Sequence, residues 1–253
     1  MKTFKDCVCI AQARVIAGFK RDSHICTIAF QPEKSRFLRL CVPYVKGRSP
    51  VVKRWTWFDF VGQKESLPSI DTREESWDAI YINRKGLIKK ESEKRKIHCA
   101  VLSEYRYQNE LKERRESIGL LIPIPGSLRF NRRELSPYDP AEKKKLDRIE
   151  HMTKQGIWFP SYEVKVTGEF MQAGKRKKFN RQLLAWDVYE ALRSGLTNPF
   201  QAITNYRNPY FITGNTSQHR DGFMLIGVLS APDGAIENYA INQQLALLKH
   251  ESN

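Results

Sequence analysis

The chain has 253 residues, with 43 Lys and Arg against 28 Asp and Glu, a formal net charge of +15 and a sequence pI near 9.6. That length can bury one large core or two small ones without staples, and the five cysteines, Cys7, Cys9, Cys26, Cys41 and Cys99, lack any Cys-x-x-Cys pair, which argues against a secreted disulfide framework and for a cytoplasmic setting. No apolar run reaches the ~18 residues of a membrane span, and Asp6 and Arg14 interrupt the apolar stretch behind Lys2 and Lys5, so neither a membrane segment nor a secretory leader is expected.

Along the chain, strand signals come first. Residues 6–16 are rich in Val, Ile and Cys, residues 24–30 alternate apolar with polar, and residues 36–45 set Phe37, Arg39 and Cys41 against Leu38, Leu40 and Val42. A further strand is expected over 51–60, dense in aromatic and β-branched residues. Between residues 84 and 116 Lys, Arg and Glu dominate, which predicts a helix or connector and marks a domain boundary.

Strand character resumes over 117–124, where Pro123 and Pro125 indicate an edge or an exit. A charged helix over 139–151 is opened by Pro140. Residues 158–170 alternate, with Tyr162, Val164 and Val166 on one face. The spacing of Leu183, Leu184, Trp186, Val188, Tyr189 and Leu192 predicts an amphipathic helix over 179–195, stopped by Gly195. Residues 209–213 and 223–229 read as a β-hairpin around a long polar loop.

A charge of this size attracts polyanions, of which nucleic acid is the commonest for a basic protein. The charge is also clustered. From Glu33 to Arg54 seven basic residues (Lys34, Arg36, Arg39, Lys46, Arg48, Lys53 and Arg54) face one acid, about +6. Lys53-Arg54-Trp55-Thr56-Trp57-Phe58 interleaves cations with rings, as single-strand binders do: rings stack on bases and cations neutralise phosphates. The competing reading of Trp55 and Trp57 is core, where Trp is usually found.

Lys175, Arg176, Lys177 and Lys178, with Arg181 nearby, are expected at a strand-to-helix turn able to grip a phosphate backbone, and Arg129, Arg132 and Arg133 form another basic loop. The loop carrying Asn215, Thr216, Ser217, Gln218, His219 and Arg220 is the candidate for specific contacts, since it is long, polar and pinned between strands. Each of these basic or polar stretches is equally readable as a solvated surface.

Cys7 and Cys9 on one strand and His24 and Cys26 on the next could converge as four metal ligands if the strands paired in register. Structural zinc instead favours Cys-x₂₋₄-Cys knuckles, so no metal or other cofactor is expected. No nucleophile elbow, Walker loop or His-Glu-x-x-His helix is present. An enzyme is therefore not the expected reading; the alternatives are a nuclease in which His219 acts with a nearby acid, and a protein adaptor using the aromatic surface.

The order of residues 7–11 (CVCIA), 37–40 (FLRL), 57–61 (WFDFV) and 74–77 (EESW) resembles prokaryotic dual OB-domain-containing proteins, over about a third of the chain. Residues 209–214 (PYFITG) and 223–228 (FMLIGV) are similar to the strand-loop-strand ending of related proteins encoded near mobile elements or defence systems. The family's glycine- and arginine-rich turn after the first strand is replaced here by Gln12-Ala13-Arg14-Val15-Ile16. The resemblance implies OB-like barrels that bind nucleic acid and brings no catalytic residues.

The expectation is thus a β-rich α+β fold of two small OB-like β-barrel modules with a helix packed on the second. Residues 1–84 would form the N-terminal module, 85–117 a basic connector and 118–253 the C-terminal module. The expected function is binding RNA or single-stranded DNA, as a non-catalytic subunit with protein partners in a larger nucleoprotein complex.

Overall fold

Five strands close a barrel in the first third of the chain: β1 (Lys2–Gln12), β2 (His24–Gln31), β3 (Arg36–Pro43), β4 (Thr56–Gln63) and β5 (Ser76–Leu87), in the order β1-β2-β3-β5-β4 around the wall. The computed structural model describes residues 1–14, 24–43, 52–64, 74–104, 108–154, 160–172, 174–195, 198–215 and 222–236. Barrel neighbours run antiparallel except β3 and β5, which pair in parallel. Because side chains alternate along a strand, Leu38, Leu40 and Val42 of β3 and Phe58 and Phe60 of β4 meet Phe4, Cys7 and Cys9 in one core cluster.

β1 is buried on both faces. Cys7 and Cys9 lie in the barrel cluster while Val8 and Ile10 enter a separate cluster outside it, so the strand reads as an unbroken apolar run. Register shifts between Phe4 and Cys7 and between Cys9 and Ala11 bend it, letting its first part pair with β4 and its last part with β2.

α1 (Glu91–Ser103) buries Ile97, His98, Val101 and Leu102 at helical spacing, and α2 (Gln108–Glu113) follows. The remainder comprises β6 (Ile118–Leu121), β7 (Arg129–Glu134), α3 (Pro140–Lys154), β8 (Tyr162–Gln172), β9 (Lys175–Gln182), α4 (Trp186–Ser194), α5 (Pro199–Thr204), β10 (Pro209–Gly214) and β11 (Met224–Ser230). They form two three-stranded sheets, β11-β10-β6 and β7-β8-β9. Single bridges join the sheets at both sides: Pro123 with Phe170, antiparallel, and Leu183 with Leu225, parallel. Ile124 N–H donates to the Glu169 carbonyl and Leu184 N–H to that of Leu225, each at 2.7 Å. Val164, Val166, Phe170, Phe179, Phe211 and Leu225 fill the space between.

A third cluster lies between the barrel and these sheets. Val8, Ile10, Ile28 and Phe30 from the barrel, Ile97 and Val101 from α1, and Ile118, Ile212 and Ile226 from the sheets share it. The architecture is β-rich, with a closed five-stranded barrel, two further sheets and a few helices. No helix among the described residues is long and apolar enough to cross a membrane.

Several local expectations are corrected. The strand expected over 51–60 begins only at Thr56, because Trp55 has a left-handed backbone, φ 65°, and turns the chain ahead of it. Lys175–Lys178 open β9 rather than a strand-to-helix turn, since Gly174 at φ 71° makes a tight return onto β8. The helix expected over 179–195 is confined to α4. Leu183 and Leu184 continue the extended path into different clusters, a period-2 arrangement that the apolar spacing there cannot distinguish from a helix. Arg129, Arg132 and Arg133 are in β7, paired along β8, not in a loop. β5 runs on to Leu87, through residue 84.

Candidate nucleic-acid interface

Cross-strand partners in an antiparallel sheet point to the same side, so the register of β7-β8-β9 defines its outward face. Val164 and Val166 point into the core. Arg129, Thr167 and Asn180 therefore lie abreast on the outside, followed by Asn131, Lys165 and Gln182, with Glu169 beside Lys178 and Met171 beside Arg176. With Arg133 and Glu163 at one end, the face holds five cations, Arg129, Arg133, Lys165, Arg176 and Lys178, against two carboxylates, Glu163 and Glu169.

The position of each charge decides which cations are available. At the α3 end Arg133 contacts Glu142 at 2.6 Å and Glu163 at 3.4 Å, and Lys145 contacts Glu163 at 3.0 Å, so that end is neutralised. Arg176 reaches Glu169 at 3.4 Å. Among the described residues Arg129 donates only to the carbonyls of Gly126 and Leu128, at 3.0 and 2.8 Å. Lys165, exposed on β8, and Lys175, Lys177 and Lys178, exposed on β9, have no ion pair among the described residues. A groove of about 560 Å³ crosses the face between Arg129, Thr167, Glu169, Lys178 and Asn180. Its floor passes over Gly168, where a Cβ would stand 2.8 Å from the Phe179 ring.

Other candidate residues are engaged elsewhere. Arg36 donates twice to Gln31 Oε1, at 3.0 and 2.8 Å, and lies over the Phe4 ring. Arg39 donates to the Asn215 carbonyl and to Cys26 Sγ, and Arg54 to Asp187 and to the Val228 carbonyl, so both tie the barrel to the second half. Lys53 is exposed. The Trp55 ring centroid is 4.9 Å from that of His98, and Trp57 Nε1 donates to Glu93 Oε1 at 2.6 Å, so both indoles pack on α1. Arg132 lies 3.8 Å over the Tyr162 ring, across the sheet from Arg129, and Arg181 is half-buried on that same side. Asn215 is buried. Thr216, Ser217, Gln218, His219 and Arg220 lie outside the described residues.

The register of β1 and β2 also separates the four residues weighed as metal ligands. Cys9 pairs with Ala29, and Ala13 rather than a cysteine stands opposite Cys26, whose thiol accepts from Arg39. Burial pushes the Cys7 and Cys9 thiols up to about 12, as befits core residues. No group of three or more His, Cys, Asp or Glu side chains gathers into a metal-binding set among the described residues.

Lys165, Thr167, Asn131 and Asn180 went unremarked in the sequence, although the alternation that put Val164 and Val166 inside already implied the outward side of β8. What that alternation lacked was the pairing of β8 with β7 and β9. A scan of protein-family models gives no match for this chain, and neither does a search of curated proteins.

Proposed function

We propose that the chain consists of two consecutive OB-type barrels and binds RNA or single-stranded DNA through the outward face of β7, β8 and β9. The barrel supports the first part: strand order 1-2-3-5-4 with the third and fifth strands parallel is an OB circuit. The second half retraces that circuit. β6 and β7 act as one bent first strand, pairing with β10 before the bend and β8 after it, as β1 pairs with β4 and then β2. β8 and β9 follow as second and third strands, α4 and α5 intervene, and β10 and β11 close the circuit through the parallel Leu183–Leu225 bridge.

OB folds bind oligonucleotides on the face of their second and third strands. In the first barrel Ile28, Phe30 and Phe37 on that face pack into the shared cluster. In the second the equivalent face is open and cationic. The observation that carries the reading is that Arg129, Lys165 and Lys178 share this open face without a carboxylate partner among the described residues. The resemblance to dual OB-domain proteins suggests a prokaryotic defence or mobile-element nucleoprotein complex as the setting, with cytoplasmic protein partners.

Fluorescence anisotropy with a labelled single-stranded oligonucleotide at a series of salt concentrations tests this. Each neutralised phosphate contributes about 0.7 to the salt slope for single strands. Replacing Arg129, Lys165 and Lys178 together by Ala is expected to lower the slope by about 2 and to weaken binding for every sequence tried. Wild-type protein that retains no oligonucleotide at low salt, or an unchanged slope in the triple variant, refutes the assignment.

A further inference from the structure

A cavity of about 290 Å³ opens where the first barrel meets α4, lined by Gln12, Lys53, Arg54, Trp186, Asp187 and Glu190. Its size is near the lower limit of small-molecule sites, about 300–1,000 Å³. Arg54 is fixed in its wall by Asp187 and the Val228 carbonyl, and Glu190 accepts from Arg193 at 2.9 Å. Lys53, by contrast, is exposed and has no ion pair among the described residues. The half-buried Trp186 adds a flat aromatic wall.

These groups suit a planar, uncharged ligand that donates hydrogen bonds. The Asp187 and Glu190 carboxylates repel a phosphate held inside, yet each can accept several hydrogen bonds. The indole offers a stacking surface, and Lys53 an ammonium for a phosphate just outside. Resting on the nucleic-acid reading above, we infer that this cavity takes one unpaired base of the bound strand. The base stacks on Trp186, its exocyclic amine faces the acceptors of Asp187, Glu190 and Gln12, and Lys53 meets the adjoining phosphate. Cytosine, adenine and guanine carry such an amine; uracil does not.

The test compares oligo-cytidine with oligo-uridine of equal length on the full chain, because the two bases match in size and uracil puts a carbonyl oxygen, which the carboxylates repel, where cytosine puts the amine. Oligo-cytidine is expected to bind several-fold more tightly. Trp186→Leu keeps an apolar side chain but removes the stacking surface, and is expected to weaken oligo-cytidine about fivefold or more. Equal affinity for the two oligomers, or Trp186→Leu binding like wild type, overturns the inference. If Trp186→Leu does not fold, by circular dichroism, Lys53→Ala decides: a salt slope lower by about 0.7 supports the site and an unchanged slope overturns it. Wild-type protein that binds neither oligomer instead removes the broader nucleic-acid reading.

Discussion

His98 lies within the cluster between the halves, where its Nδ1 is 2.7 Å from Tyr210 Oη and its ring stands beside Trp55. Burial is the main cause that pushes its pKa from 6.5 down to about 4, with the nearby Arg54 adding to the fall. The folded protein therefore holds the neutral ring, while the unfolded chain takes up a proton below about pH 6.5. Stability should fall as the pH drops from about 6.5 towards 4 and lose nothing more from this group below that, roughly 3 kcal/mol in all. Urea titrations at pH 7 and pH 5 check it: the midpoint drops for the wild type, and His98→Gln flattens that part of the dependence. Tyr210→Phe leaves a buried ring nitrogen unpartnered and should cost about 1–3 kcal/mol at pH 7.

β1 and β11 pass each other so closely that a Cβ on Gly227 would stand 2.4 Å from the Ala11 Cβ. Neither position can yield easily, because Ala11 is paired to β2 and Gly227 to β10. Gly227→Ala is expected to destabilise by about 1–3 kcal/mol in thermal or urea unfolding, as overpacking does. Ala11→Gly in the same chain should recover part of that loss, because the two residues share the contact. β7 and β9 illustrate the opposite case: among the described residues their outward sides meet no other strand, which leaves the cationic face open.

Across the whole molecule, the cluster of Val8, Ile10, Ile28, Phe30, Val101, Ile212 and Ile226 belongs to neither half alone. Arg39 and Arg54 reach across the same junction, and Glu75 Oε1 accepts from Ser117 N–H and Oγ. Removing one half would expose a contiguous apolar surface on the other. Unfolding followed by circular dichroism and by tryptophan fluorescence should therefore give one coincident transition. Two separated transitions would mean that the junction contributes little.

Alternation was enough to find β2, β3, β8 and the β10-β11 hairpin, and composition was enough to expect a basic, strand-rich protein. Asp139 and Pro140 marked the start of α3, where the Asp139 carboxylate accepts from the N–H groups of Ala141 and Glu142. All of these are local signals, written in residue type and spacing. Which cations remain open is not local. Arg54 and Lys178 looked alike in the chain, yet Arg54 finds Asp187 133 residues away while Lys178 faces outward beside Glu169 without an ion pair among the described residues. The same holds for Trp55 and Trp57, which α1 covers. An electrostatic surface depends on pairings between distant strands and helices, and only the tertiary structure decides them.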